Sequence, residues 1–323
     1  MTDRKYTAGM WVFGQIIDRY ATDGYNEPPS TLDIIRQAAD AGLVGMDLNY
    51  PWPEPDLSPE DVSAALTASG MSAVCITPVI YGRHFRSGSF SNADAQIRRA
   101  AADLADESVD VAKRMGAKYV KFWPGQDGYD YPFQVDYATL RRHGVGGLGA
   151  VCDNHPDMQF AVEYKLKEPR NRLLWSTAAA TLVAIDETGC DNLGVVLDFG
   201  HSLFAKENPA EALSLLHSHG RLVDIELDDN YREWDDDLTA GSLHLVETLE
   251  FLHGVRQIGW TDEIKLDLFP YREDKGEAVR QSIKTLQRLE DAAERLDLEQ
   301  LGRIHANHDA MGAQELVRET LLR

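Results

Sequence analysis

Glu163 and Lys165 stand two residues apart at the end of the apolar run in AVEYKLKEPR (161–170). In a β-strand, positions i and i+2 face the same side, so a carboxylate and an ammonium enter one space. The carboxylate can hold a divalent cation, and the ammonium can neutralise a substrate oxygen. Three later apolar runs also end in acids: Asp198 in VVLDFGH, Glu226 in VDIELDDN and Asp267 in IKLDLFP. Glu163, Asp198, Glu226 and Asp267 form a candidate set of hard oxygen ligands, which suits Mn²⁺ or Mg²⁺ better than a soft-ligand metal. His201 follows Asp198 by three residues, and Asp235 and Asp237 follow Glu226 in NYREWDDDL. With Asp198, these three can make a second cation position. Read singly, a strand-end acid caps a helix or pairs with arginine, and a DDD run is a solvated loop. The convergence of all of them is what points to a metal.

The elements that must position these groups alternate along the whole chain. Apolar, β-rich runs occur at 9–13, 45–49, 72–78, 118–123, 159–164, 194–198, 221–227 and 264–268. Helical patterns occupy 30–42, 58–69, 92–116, 137–152, 173–188, 208–219, 241–257 and 274–296. Ser58 and Pro59 in SPED mark a capped helix start. The alternation predicts an α/β protein, a (β/α)8 TIM barrel over residues 1–298 with a helical C-terminal tail over 299–323. A doubly wound sheet is disfavoured because no glycine-rich phosphate loop follows the first strand. In a barrel, active sites sit at the C-terminal ends of the strands, and every acid named above falls there. Trp11 and Trp123 end the first and fourth runs, where flat rings can pack against the C–H faces of a sugar.

Composition narrows the function. The 323 residues carry a formal charge of −21, which opposes binding to nucleic-acid phosphates or anionic membranes. No run approaches the roughly 20 apolar residues of a membrane span. The first residues lack a signal-peptide layout. The three cysteines, Cys75, Cys152 and Cys190, form no CxxC pair. A reducing cytoplasm is therefore expected. The expected partner is a small sugar, unphosphorylated because no phosphate cradle is visible, and the protein is expected to form a homodimer or homotetramer.

Together these residues resemble the xylose isomerase-like barrel family. The strand-five pattern E-x-K-x-x-E-P of xylose and rhamnose isomerases is similar to Glu163, Lys165, Glu168 and Pro169. Asp198 with Gly200-His201, Glu226 with Asp235-Asp236-Asp237, Asp267, and Trp123 in FWPGQDG resemble the remaining motifs, as does FRSGSFSNADAQIRRAA after strand three. The resemblance implies aldose–ketose isomerisation by metal-assisted hydride shift. It implies catalytic roles for Lys165, Glu163, Asp267 and His201, and substrate contacts from Trp11, Trp123 and Asn49. Asn49 replaces a histidine that helps to open the sugar ring in xylose isomerases, so xylose itself is not implied. YDYPFQVDY and NYREWDDD look closer to the rhamnose side of the family. Two other chemistries occur on such barrels. One is ketose 3-epimerisation by carboxylates on strands five and eight, where this chain has the shorter Asp267. The other is the large subunit of a C-glycoside deglycosidase, in which His143 of RRHGVGG is a candidate base and a small partner chain is needed. DNA repair at abasic sites is opposed by the charge, and a purely structural role leaves four converging acids unexplained.

Overall fold

The computed structural model describes residues 4–322. Eight parallel strands close into a barrel: β1 (Tyr6–Gly9), β2 (Gly45–Tyr50), β3 (Ser72–Pro78), β4 (Tyr119–Phe122), β5 (Phe160–Glu163), β6 (Leu193–Asp198), β7 (Leu222–Leu227) and β8 (Ile264–Leu266). β1 pairs with both β2 and β8, which completes the ring. The outer layer holds α1 (Thr31–Asp40), α2 (Pro59–Ala68), α3 (Ala95–Met115), α4 (Tyr137–Asn154), α5 (Ala178–Thr188), α6 (Phe199–Phe204), α7 (Pro209–Ser218), α8 (Leu245–Gln257) and α9 (Lys275–Glu294). Two more helices, α10 (Leu298–Asn307) and α11 (Ala310–Leu321), follow, and α11 packs back on α9. No helix among the described residues is long and apolar enough to cross a membrane.

Local chemistry explains most boundaries. Ser58 and Asp61 form a reciprocal capping box with Pro59 at the helix start, which satisfies two otherwise orphaned amides. The first strand departs from expectation: Tyr6–Gly9 is the strand, and Met10–Phe13 turn into a 3₁₀ helix. The apolar run continues past the barrel rim because Val12 and Phe13 stay buried where this turn packs against α1 and α9. α5 starts at Ala178 because the preceding residues are used elsewhere. Asn171–Leu173 pairs with Gly128–Tyr129 and Lys167–Glu168 in a small three-stranded sheet.

The space between barrel and helices is apolar, but the barrel interior is not. Barrel interiors are ordinarily packed with branched apolar side chains. Here Lys121 of β4 lies 2.8 Å from Asp47, 2.9 Å from Glu226 and 2.6 Å from Glu163. Lys265 of β8 lies 2.8 Å from Glu226, 2.9 Å from the Tyr119 hydroxyl, 3.3 Å from Asp47 and 3.4 Å from Asp224. Burial alone would strip both ammoniums of their protons. The carboxylates outweigh it at Lys121, and Cys75 with the carboxylates at Lys265, raising both pKa values well above the usual lysine range. Asp47 is held well below the usual carboxylate range: burial pushes it up, but Lys121 and Lys265 pull it further down.

Removing one partner of a buried ionic group strands the others. Lys265→Met is therefore expected to lower the unfolding free energy by about 3–5 kcal/mol, measured by urea denaturation. A loss under about 1 kcal/mol, in the range of a surface pair, would show that the network does not hold the barrel.

Candidate metal centre

The C-terminal ends of β5, β6 and β8 deliver three acids to one place. Glu163 closes β5 and Asp198 closes β6. Asp198 also caps α6, accepting at Oδ1 from the His201 amide at 2.7 Å. That cap sets His201 in the first turn, facing the acids, and leaves Asp198 Oδ2 without a partner. Asp267 follows β8 and accepts from Trp11 Nε1 at 2.5 Å. Glu163, Asp198, His201 and Asp267 each offer one ligand atom, and those atoms lie within 4.8 Å of one another. All four are buried.

Asp228, Asp235 and Asp237 form a second group of the same kind, again within 4.8 Å. The NYREWDDD loop is pinned rather than solvated. Asp229 and Leu238 exchange backbone hydrogen bonds at 3.0 and 2.8 Å, and the Asp229 carboxylate accepts from the Leu243 and His244 amides at 2.7 and 2.9 Å. Asn230 donates to the Gly200 carbonyl at 2.8 Å, tying this loop to α6. Asp235 is buried, with Oδ2 3.0 Å from His201 Nε2 and 2.7 Å from Lys165. The two groups are thus joined through His201. Gly200 is needed at the junction, because a Cβ there would lie 2.2 Å from the Asp228 carboxylate oxygens.

Glu226 of the expected acid set gives its Oε1 to Lys121 and Lys265, while its Oε2 is buried without a hydrogen-bond partner. Asp228, two residues on, lies with Asp235 and Asp237, with both oxygens buried and unpartnered. Sequence reasoning passed over it, although the alternation in DIELDDN puts residues 224, 226 and 228 on one side.

Above the acids lies a cavity of about 430 Å³. Trp11, Trp123 and Asn49, the expected substrate contacts, line it together with Lys165. Lys165 lies 2.5 Å from Glu168 and stands over the Trp123 ring, 5.5 Å from its centre. The Trp11 ring folds back over Gly9, where a Cβ would lie 2.1 Å from it, and covers Lys121 at 4.7 Å. Asn49 donates to the Tyr81 hydroxyl at 3.1 Å, leaving its Oδ1 unpartnered. Sequence reasoning missed Tyr81, Trp234 and Tyr271 in this wall, since isolated aromatics in loops carry no periodic signal. His143 lies outside it, in the wall of a neighbouring cleft.

The electrostatics test whether these residues suit a cation. Burial, then crowding by other carboxylates, raises Asp228, Asp237 and Asp267 well above the usual range. Asp198 is pushed up to about 7, chiefly by burial. His201 rises to about 10: burial opposes its charge, but Asp198 and Asp235 more than compensate. Asp235 is held far down, because Lys165 and His201 overcome its burial. Crowded acids with unpartnered oxygens, Oδ2 of Asp198 and both of Asp228, are the arrangement a hard divalent ion neutralises, so the donor set fits such an ion.

Residues 35–309 match the family described as xylose isomerase-like TIM barrel. The chain is 22% identical to the xylose isomerase of Thermus thermophilus over 292 residues, covering 86% of this chain and 76% of that protein. Its fold superposes on an L-ribulose 3-epimerase with a TM-score of 0.72 at 14% identity, covering 90% of this chain and 96% of the other. It also superposes on the 3-keto-D-glucoside 4-epimerase of E. coli with a TM-score of 0.67 at 16% identity, covering 88% and 99%.

The shifted groups set a pH dependence for the metal-free protein. A carboxyl whose pKa is raised on folding binds protons more tightly folded than unfolded, so stability falls as pH rises. For Asp198 this loss runs from its ordinary 3.8 up through about 7. The stabilisation from charged His201 is complete below its ordinary 6.5 and is lost as pH rises through about 10. Both act in one direction. After exhaustive chelation, Tm should fall steadily from about pH 5 to about pH 9, and added Mn²⁺ should raise it more at the alkaline end, where fewer protons compete. Scanning calorimetry showing a chelated Tm that climbs over this window would contradict the assignment.

Proposed function

The chain belongs to the xylose isomerase-like TIM-barrel family, and from that premise we propose that it is a divalent-metal-dependent isomerase interconverting an aldose and a ketose, with an unphosphorylated sugar as substrate. The observation that carries this reading is the pair of ligand groups joined at the His201–Asp235 contact of 3.0 Å, under a cavity lined by Lys165 and two tryptophans. Glu163, Asp198, His201 and Asp267 would hold one ion, and Asp228, Asp235 and Asp237 a second. Mn²⁺ or Mg²⁺, when bound, supplies Lewis-acid polarisation of the sugar oxygens.

The protein's own groups do the rest. Lys165 keeps its proton firmly: burial works against the charge, but Asp235 and Glu168 outweigh it. Its ammonium is therefore a donor, not a base. It would hydrogen-bond the carbonyl oxygen and stabilise the negative charge that grows there. Trp11 and Trp123 would cover the C–H faces of the open chain and exclude water. Asn49 would bind a hydroxyl with its unpartnered Oδ1.

The rival is ketose 3-epimerisation, favoured by the closeness of Glu163 and Asp267. Proton abstraction from carbon needs a free carboxylate on each side of the sugar. Glu163 is held at 2.6 Å by Lys121, and Asp267 accepts from Trp11 at 2.5 Å. Against its burial, Lys121 holds the Glu163 carboxyl below its usual range, which weakens it as a base, and the Trp11 bond occupies an Asp267 oxygen. With neither carboxylate free, transfer of hydrogen between C2 and C1 within the substrate is favoured.

A screen of aldoses and ketoses with added Mn²⁺, with products resolved by chromatography, tests the reading directly, and exhaustive chelation should abolish turnover. Lys165→Met should lower kcat by about 100-fold or more while metal content is retained. Wild-type turnover in that variant would remove Lys165 from the chemistry. Turnover in D₂O should place little deuterium on product carbon. One carbon-bound deuterium per product after a single turnover would move the assignment to epimerase-type proton transfer.

A further inference from the structure

Beyond Glu168 lies a second cavity, of about 690 Å³. Glu168 lines both it and the inner pocket. The inner pocket alone falls within the ~300–1,000 Å³ of ordinary ligand sites, so a single sugar leaves the outer cavity unused.

This outer cavity is built, not incidental. Its walls are the loops that follow β3, β4 and β5, and each is locked. Asp127, fully buried, accepts from the Ser89 amide at 2.9 Å, the Ser91 amide at 2.7 Å and both serine hydroxyls. Gly128–Tyr129 pairs with Asn171–Leu173 across the small sheet. Gln134 accepts from the Asp130 and Tyr131 amides at 2.8 and 2.9 Å. Such a cleft costs little ordering on binding.

Its chemistry is that of a neutral polyhydroxyl ligand. Ser87, Gln126, Thr139, His143 and Asn171 offer hydroxyls, amides and an imidazole. Gln126 Oε1 and His143 Nδ1 are buried without hydrogen-bond partners. The acids are already answered: Asp130 by Arg170 at 3.2 Å, Glu168 by Lys165 at 2.5 Å, and Asp136 by its cap on α4, while Arg86 bonds the Arg83 carbonyl. The wall carries Asp130, Asp136 and Glu168 against Arg86 and Arg170, a balance unsuited to a phosphate or carboxylate.

We propose that the outer cavity is a subsite for a second sugar unit, so that the substrate is a glycosylated sugar whose reacting unit lies in the inner pocket. This rests on the sugar-isomerase reading and names its substrate class. Glu168 stands between the two units, with its carboxylate held by Lys165 on the inner side.

The test is calorimetric titration of the Mn²⁺-loaded full chain with maltose, cellobiose, lactose and xylobiose, each against its reducing-end sugar, glucose or xylose, and with glucose 6-phosphate. At least one disaccharide should bind about tenfold tighter than its reducing-end sugar. Ser87 and Ala93 are exposed residues of the outer wall. Ser87→Trp and, independently, Ala93→Trp should erase that tenfold, with binding of the single sugars reporting an intact inner pocket. Single sugars binding as tightly as every disaccharide would overturn the proposal and leave the isomerase standing. An advantage confined to glucose 6-phosphate would also overturn it, in favour of an anion site. Binding of neither class would overturn the proposal as well, while the screen of aldoses and ketoses, which extends beyond glucose and xylose, decides the isomerase reading separately.

Discussion

An ammonium buried inside a β-barrel costs several kcal/mol unless carboxylates meet it, and here Lys121 and Lys265 are both buried and both met. Their carboxylates come from different strands: Asp47 from β2, Glu226 from β7 and Glu163 from β5. The charges therefore act across the barrel rather than along one edge, and β2, β4, β5, β7 and β8 cannot shift register without stranding an ion. The same constraint reaches the site above. Lys121 holds Glu163 Oε2 at 2.6 Å, which leaves Oε1 turned toward His201 at 3.3 Å. One lysine thus fixes both the interior of the fold and the direction in which the site's first carboxylate points.

The layer above is the reverse case. Asp198, Asp228, Asp237 and Asp267 crowd together with too little cationic charge beside them, and burial first, then mutual repulsion, raises their pKa values. Such a cluster persists only where the surrounding structure over-determines it. Asp229 ties down the loop that carries Asp235 and Asp237, the Asp198 cap orients α6, and Gly200 makes room for Asp228. The protein keeps its satisfied charges deep and its unsatisfied ones at the mouth, where a cation and a substrate can enter.

The alternation of strands and helices was legible because each barrel strand is a compact apolar run and each helix carries its own start signal, as at Ser58. Strand-end acids were legible for the same reason: they interrupt the run. The rest failed for identifiable causes. The first strand was misplaced because buried residues continue into the 3₁₀ turn. Strands of two or three residues, as in the small sheet, are too short to show a period. Lys121, Lys265 and Asp47 lie inside apolar strands, and a pattern reading treats such charges as boundaries or exceptions. Their partners lie far along the chain, so only the closed barrel reveals that they meet. Asp228 went unread because it lies just past the end of the apolar run, after Leu227.

Lys165 links the parts that sequence motifs keep separate. Its ammonium is shared between Asp235 at 2.7 Å and Glu168 at 2.5 Å. Asp235 belongs to the acid groups, and Glu168 forms the wall between the inner pocket and the outer cleft. A ligand that displaces Glu168 toward the outer cleft would free the ammonium for the inner pocket and alter the charge felt by Asp235. Binding energy gained outside would then be felt at the reacting carbons, which is how an enzyme spends remote contacts on rate rather than on affinity alone. The spacing of Glu163, Lys165 and Glu168 gains its physical meaning here: the first faces the cation site, the last faces the cleft, and the lysine between them answers to both.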